Sequence, residues 1–154
     1  MKISYSPWRS LYGWRCLRCG RCCREYAVPL TRGEAIRYLF KYGSVVIPYK
    51  NRNYLMRKPD GSCYFLVDRG SYTECSIYYD RPLACRLYPF YITTKPLPDI
   101  SEELARYKLG ERGYVYVYLD SSCPGINKAR NILIVVRKAV DLWLRYRVYE
   151  IFKQ

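Results

Sequence analysis

Four cysteines fall within eight residues, Cys16-Leu-Arg-Cys19-Gly-Arg-Cys22-Cys23, and four more follow at Cys63, Cys75, Cys85 and Cys123. A C-x2-C loop lets two thiolates face one metal ion, and Gly20 after the second cysteine relieves crowding at the turn. Disulfides inside so short a run would be strained, although each thiol can still pair with a distant one. Inert, buried thiols are a third reading. The sequence contains no histidine, which excludes imidazole-ligated zinc and catalysis by an imidazole base. The residue types therefore point to an all-thiolate metal site, with disulfides and inert thiols as competitors.

Tetrahedral zinc and an iron–sulfur cluster both suit such ligands. Cys16, Cys19 and Cys22 have the C-x2-C-x2-C spacing of three [4Fe–4S] ligands, and Cys123-Pro124 supplies a remote Cys-Pro for the fourth. Cys23 departs from that pattern by following Cys22 directly. Adjacent side chains diverge, so the two are assigned to different sites or different irons. The expected partition is Cys16, Cys19, Cys22 and Cys123 for the cluster, with Cys23, Cys63, Cys75 and Cys85 as a second site. A single cluster with spare thiols is the alternative. Arg15, Arg18, Arg21 and Arg24 interleave the run. They form either a solvated basic loop or a set of cations offsetting a net charge of about −2 on a four-thiolate centre.

Short elements must position these thiols. Thr31-Arg32-Gly33-Glu34 has the form of a capping box, and Ile36, Leu39 and Phe40 recur at helical spacing, predicting a helix over 32–42. Residues 45–49 and 53–57 read as strands, and Pro59-Asp60-Gly61-Ser62 as a turn delivering Cys63 at the start of another. Cys75 to Tyr79 reads as extended. Asp80 is placed as the cap of a short helix carrying Cys85. Residues 99–109 read as a helix capped by Asp99, and Tyr114–Leu119 as an alternating strand. A long helix is predicted from Ile126 to about Ile151, with Ile126, Ala129, Leu133, Val136, Val140, Trp143, Leu144 and Ile151 near one face. The whole reads as a single α+β domain over 1–154, with a motif core at 16–125 and a C-terminal helix at 126–151.

A chain of 154 residues that is 50% hydrophobic can bury a core, which excludes a disordered chain. Its longest aliphatic run, Ile132–Val136, is far short of the roughly 20 residues of a membrane span. No apolar stretch near the start resembles a signal peptide, so a cytoplasmic location is expected. Four Asn and one Gln beside 19 Tyr and 27 Lys+Arg fit a thermophilic source. The formal charge is +14, and Tyr49-Lys-Asn-Arg-Asn-Tyr54 and Arg145-Tyr-Arg-Val-Tyr149 interleave bases with aromatics. Such stretches can contact phosphates and stack nucleobases.

The cysteine run, taken with Gly61-x-Cys63-x-Phe-Leu66, Cys75-x-Ile-Tyr78-x2-Arg81-Pro82-x2-Cys85-Arg86-x2-Pro89-Phe90 and Cys123-Pro124-Gly125, resembles the CxxCxxCC cysteine-cluster family. The resemblance spans about residues 16–125, and all eight cysteines fall on the family's cysteine positions. It implies zinc or iron chelation by those eight, with Tyr78, Arg81, Pro82 and Arg86 framing the second half of the site. A similar domain occurs in flagellin lysine N-methylases, which use S-adenosylmethionine. Those chains are longer, and this one has neither a glycine-rich cofactor loop after a strand nor a C-x3-C-x2-C run. Arg81 and Arg86 have two readings: buried partners of loop carbonyls, or donors to a cluster or to an anion beside it.

Three functions follow as expectations. The first is a metal-binding protein holding one or two [4Fe–4S] clusters or zinc, with electron transfer to a redox or protein partner where the metal is iron. The second is a basic nucleic-acid-associated protein with structural zinc. The third is an accessory or remnant methylase domain. No nucleophile–base set or phosphate loop assigns a catalytic residue.

Overall fold

A computed structural model describes residues 3–146. In chain order its elements are β1 (Tyr5–Pro7), α1 (Arg21–Glu25), β2 (Pro29–Leu30), α2 (Arg32–Tyr42), β3 (Val46–Tyr49), β4 (Arg52–Leu55), β5 (Leu66–Asp68), β6 (Thr73–Cys75), α3 (Leu83–Leu87), β7 (Phe90–Thr93), α4 (Glu102–Ala105), β8 (Arg106–Lys108), β9 (Tyr114–Asp120) and α5 (Ile132–Tyr146). The mixture is α+β, as the sequence predicts. It divides into two compact units, Arg18–Arg86 and the flanking Met1–Leu17 with Leu87–Gln154. Among the described residues no helix is long and apolar enough to cross a membrane.

In the flanking unit β9 is the central strand, pairing antiparallel with β1, β7 and β8. Val115, Val117 and Leu119 are buried at the alternate positions that mark this strand in the sequence, and Tyr118 between the last two is buried as well. α5 contributes Val136, Ala139, Val140 and Trp143 to the buried set, while Leu133 and Leu144, expected on that face, stay largely exposed.

Two predicted helices shorten here for local reasons. Ile126 bridges to Trp14, the Asn127 N–H donates to the Gly13 carbonyl at 2.8 Å, and Asn127 and Asn131 have φ of 58° and 69°. Left-handed asparagines cannot continue a helix, so α5 starts at Ile132. Its predicted continuation to Ile151 lies outside the described residues. Asp99 has φ 63° and does not cap α4; Ser101 Oγ does, accepting from the Leu104 N–H. The rest of the predicted 99–109 helix becomes β8, because edge pairing to β9 satisfies its backbone instead.

In the 18–86 unit, β2, β4 and β3 form one antiparallel sheet and β5–β6 a hairpin. The predicted capping box is present: Thr31 Oγ1 accepts from the Glu34 N–H at 3.2 Å, and the Thr31 N–H donates back to Glu34 Oε2 at 3.0 Å. Yet α2 turns a different face inward. Ala35 and Tyr38 are buried, whereas Ile36, Leu39 and Phe40 are 57%, 48% and 89% exposed. Tyr38 and Tyr42 pack edge-on against Phe65 and hydrogen-bond to Asp80. Those aromatic bodies with satisfied polar tips claim the core side.

Asp80 consequently does not cap the following helix. Its carboxylate accepts from Arg37, from Lys41 at 3.0 Å and from Tyr42 at 2.6 Å. Glu34 Oε1 instead accepts from the Leu83 N–H at 2.7 Å, so one carboxylate caps both α2 and α3. The 59–62 turn forms as predicted, but Cys63 sits in an isolated bridge to Arg57, and β5 begins three residues later. Cys75 ends β6, and the extended run expected after it is a tight 3-10 turn at Tyr78–Asp80.

Candidate metal centre

Five of the eight cysteines interact with one another inside the 18–86 unit. Gly20, with φ 71°, admits the chain to α1, and Cys22 and Cys23 follow in its first turn. The Cys63 N–H donates to the Cys23 carbonyl at 2.7 Å, tying the turn after β4 to α1. Cys75 arrives on β6 and Cys85 on α3. All but Cys22 pack in or against the apolar core built on Tyr38, Leu55 and Phe65.

The thiols sense each other electrically. Burial pushes Cys85 up first, and the charges of Cys22, Cys63 and Cys75 push it further. Burial also raises Cys63 and Cys75. Cys22 goes the other way, to about 7, chiefly because the Cys23 thiol donates to its sulfur; Cys23 rises by holding that shared proton. Backbone N–H groups already point at three sulfurs: Phe65 at Cys63, Ile77 at Cys75 and Cys23 at Cys22. Such donors favour the thiolate, the form that binds metal.

Cations complete the surroundings. Arg81 favours the thiolates of Cys22, Cys75 and Cys85, and Arg57 and Lys58 that of Cys63. Arg81 is held in place by its Nε donating to the Tyr78 carbonyl at 2.9 Å, with its guanidinium 3.9 Å from the Tyr78 ring centre. Arg18 lies 4.3 Å from the same ring. Arg81 is half-buried, whereas Arg86 is exposed.

The remaining cysteines sit differently. Cys16 and Cys19 are exposed, and Cys123 is buried in the other unit, where Trp14 Nε1 donates to its sulfur at 3.3 Å. All eight are thiols, with no disulfide among them. Cys22, grouped by spacing with Cys16 and Cys19, interacts with Cys23, Cys63, Cys75 and Cys85.

Among the described residues, no three Cys, Asp or Glu side chains form a group that could hold a metal ion as they stand. The donor chemistry nevertheless fits a soft metal: thiols near one another, N–H groups on three sulfurs and arginine charge beside them. Thiols without a cation repel as they ionise, so they close only around one. Sequence reasoning missed the Phe65 and Ile77 amides, which carry no side-chain signature but stand two residues after their cysteines. It also missed Arg57, which the hairpin register places across from Cys63.

No curated protein and no solved structure matches the chain. A family model does match, over residues 15–124, described as CxxCxxCC, a putative zinc- or iron-chelating domain. That span takes in every cysteine, and the chain belongs to the CxxCxxCC family.

Proposed function

We propose that this chain is a thiolate metal-binding protein whose centre draws on Cys22, Cys23, Cys63, Cys75 and Cys85. The observation that carries the reading is the mutual interaction of these five thiols within one unit, with no histidine in the chain to compete. Zinc or a [4Fe–4S] cluster would be held by four of them; iron would supply one-electron chemistry, zinc only structure. The chain's own part is to present N–H donors to three sulfurs, to set Arg81 against the charge and to bring core side chains up behind the site. A cluster shielded in this way suits electron transfer to a protein partner. Anaerobic purification with iron, zinc and sulfide analysis tests the assignment. Replacing Cys63 and Cys85 by serine should abolish binding at this centre.

A second reading draws on the β3–β4 hairpin tip. Tyr49 is 61% exposed, with Lys50 Nζ 5.5 Å from its ring centre, a pairing that suits a nucleobase beside a phosphate. The other basic-aromatic stretch runs past Tyr146, outside the described residues. Salt-dependent retardation of labelled single-stranded RNA, lost in Tyr49→Ala, supports this reading; no retardation in dilute salt ends it.

A further inference from the structure

The outward face of α2 has no use in the metal centre. Arg32, Ile36, Leu39 and Phe40 stand at i, i+4, i+7 and i+8, so they share one stripe. Ile36, Leu39 and Phe40 are 57%, 48% and 89% exposed, while the opposite stripe carries the buried Ala35 and Tyr38. A Cβ added at Gly33, on the border of this stripe, would meet nothing within 4 Å. A large aromatic with most of its surface in water, flanked by two aliphatics, is an unfavourable arrangement that an occupant would relieve.

The charges beside the stripe identify that occupant. Arg32 lies within it and Arg37 near its Phe40 border, while Lys41 stands further round the helix; Arg37 and Lys41 share the single carboxylate of Asp80. Glu34, the helix's one acid, is engaged by the Thr31 and Leu83 N–H groups. The solvent-facing charge of α2 is therefore positive, in a chain of net +14. A second copy of the chain would bring like charge against like charge. A convex stripe of apolar side chains carrying Arg32 and flanked by Arg37 matches the headgroup region of an anionic bilayer, where rings enter the acyl boundary and cations meet phosphate. We propose that α2 docks this protein peripherally on anionic lipid surfaces, with Phe40 as the inserting side chain.

The test uses the 154-residue chain in co-sedimentation with vesicles of phosphatidylcholine alone and of equimolar phosphatidylcholine and phosphatidylglycerol. Binding to the anionic vesicles should exceed binding to the neutral ones by about tenfold or more. Phe40→Ser should lower it by about tenfold, as should Ile36→Ser, since both remove apolar area from the membrane contact. These side chains are exposed, so thermal melts and bound metal should match the parent, which separates this outcome from failure of the metal reading. Absence of binding to anionic vesicles overturns the proposal. So does binding that Phe40→Ser leaves unchanged, which would be charge attraction without insertion. Capture of an acidic protein through this face without vesicle binding overturns it as well.

Discussion

Arg81 and Arg86 lie five residues apart and carry the same charge, yet their surroundings separate them. Arg81 is fixed by the Tyr78 carbonyl and ring and acts on three of the five thiols, whereas Arg86 is exposed. Losing a fixed cation beside a ligand set weakens metal affinity by about 10–100-fold. Arg81→Met should therefore bind metal at least tenfold more weakly than Arg86→Met, read by competition with a chromophoric chelator. Equal affinities would reduce Arg81 to a loop tether. Asp80 supplies a second residue-scale prediction. The Tyr42 hydroxyl, with Arg37 and Lys41, holds its carboxyl well below the usual carboxylate range. Because the folded value lies below the unfolded one, its stabilisation is present above about pH 4 and is lost as pH falls through the folded value. Asp80→Asn should cost roughly 1–2 kcal/mol at neutral pH and flatten the loss of stability below pH ~4, measured by urea denaturation across that range.

At the scale of elements, two small features hold α1 and α3 where their cysteines are useful. Gly20 has φ 71°, and a Cβ there would lie 2.6 Å from Thr73 Oγ1. Gly20→Ala should destabilise the fold by about 1–3 kcal/mol and lower metal occupancy, measured on one preparation by melting and metal analysis. Glu34 caps both α2 and α3, so Glu34→Ala removes two caps with one change, at about 1–2 kcal/mol. The sequence made much of this legible: α2 through its capping box, β3, β4 and β9 through their residues, and the ligand candidates through cysteine spacing. The inward face of α2 was not legible, because Tyr38 and Tyr42 outcompete Ile36, Leu39 and Phe40 only once Phe65 and Asp80 are beside them. Nor was β8, a helical pattern taken by edge pairing to β9. The electrostatic contacts of Cys22 with Cys63, Cys75 and Cys85 are non-local, and no spacing encodes them.

For the molecule as a whole, a metal bound through the thiols is expected to complete a modest apolar core in residues 18–86. Four cysteines, Cys23, Cys63, Cys75 and Cys85, sit in or beside one small core, and burial favours the neutral thiol of Cys63, Cys75 and Cys85, so their metal-binding thiolate form is stabilised there once a cation is bound. Metal binding to the folded chain adds stability by mass action, so stripping it should lower the melting temperature and broaden the transition. The most direct measurement is anaerobic purification of the full chain, followed by an ultraviolet–visible spectrum with iron, zinc and sulfide analysis of the same sample. The sample should hold bound metal, either zinc without colour or iron with matching sulfide and broad absorption near ~400 nm, and the Cys63→Ser, Cys85→Ser double variant should lose it. A metal-free protein that melts cooperatively and gains nothing from added zinc or reconstituted iron and sulfide would overturn the metal assignment.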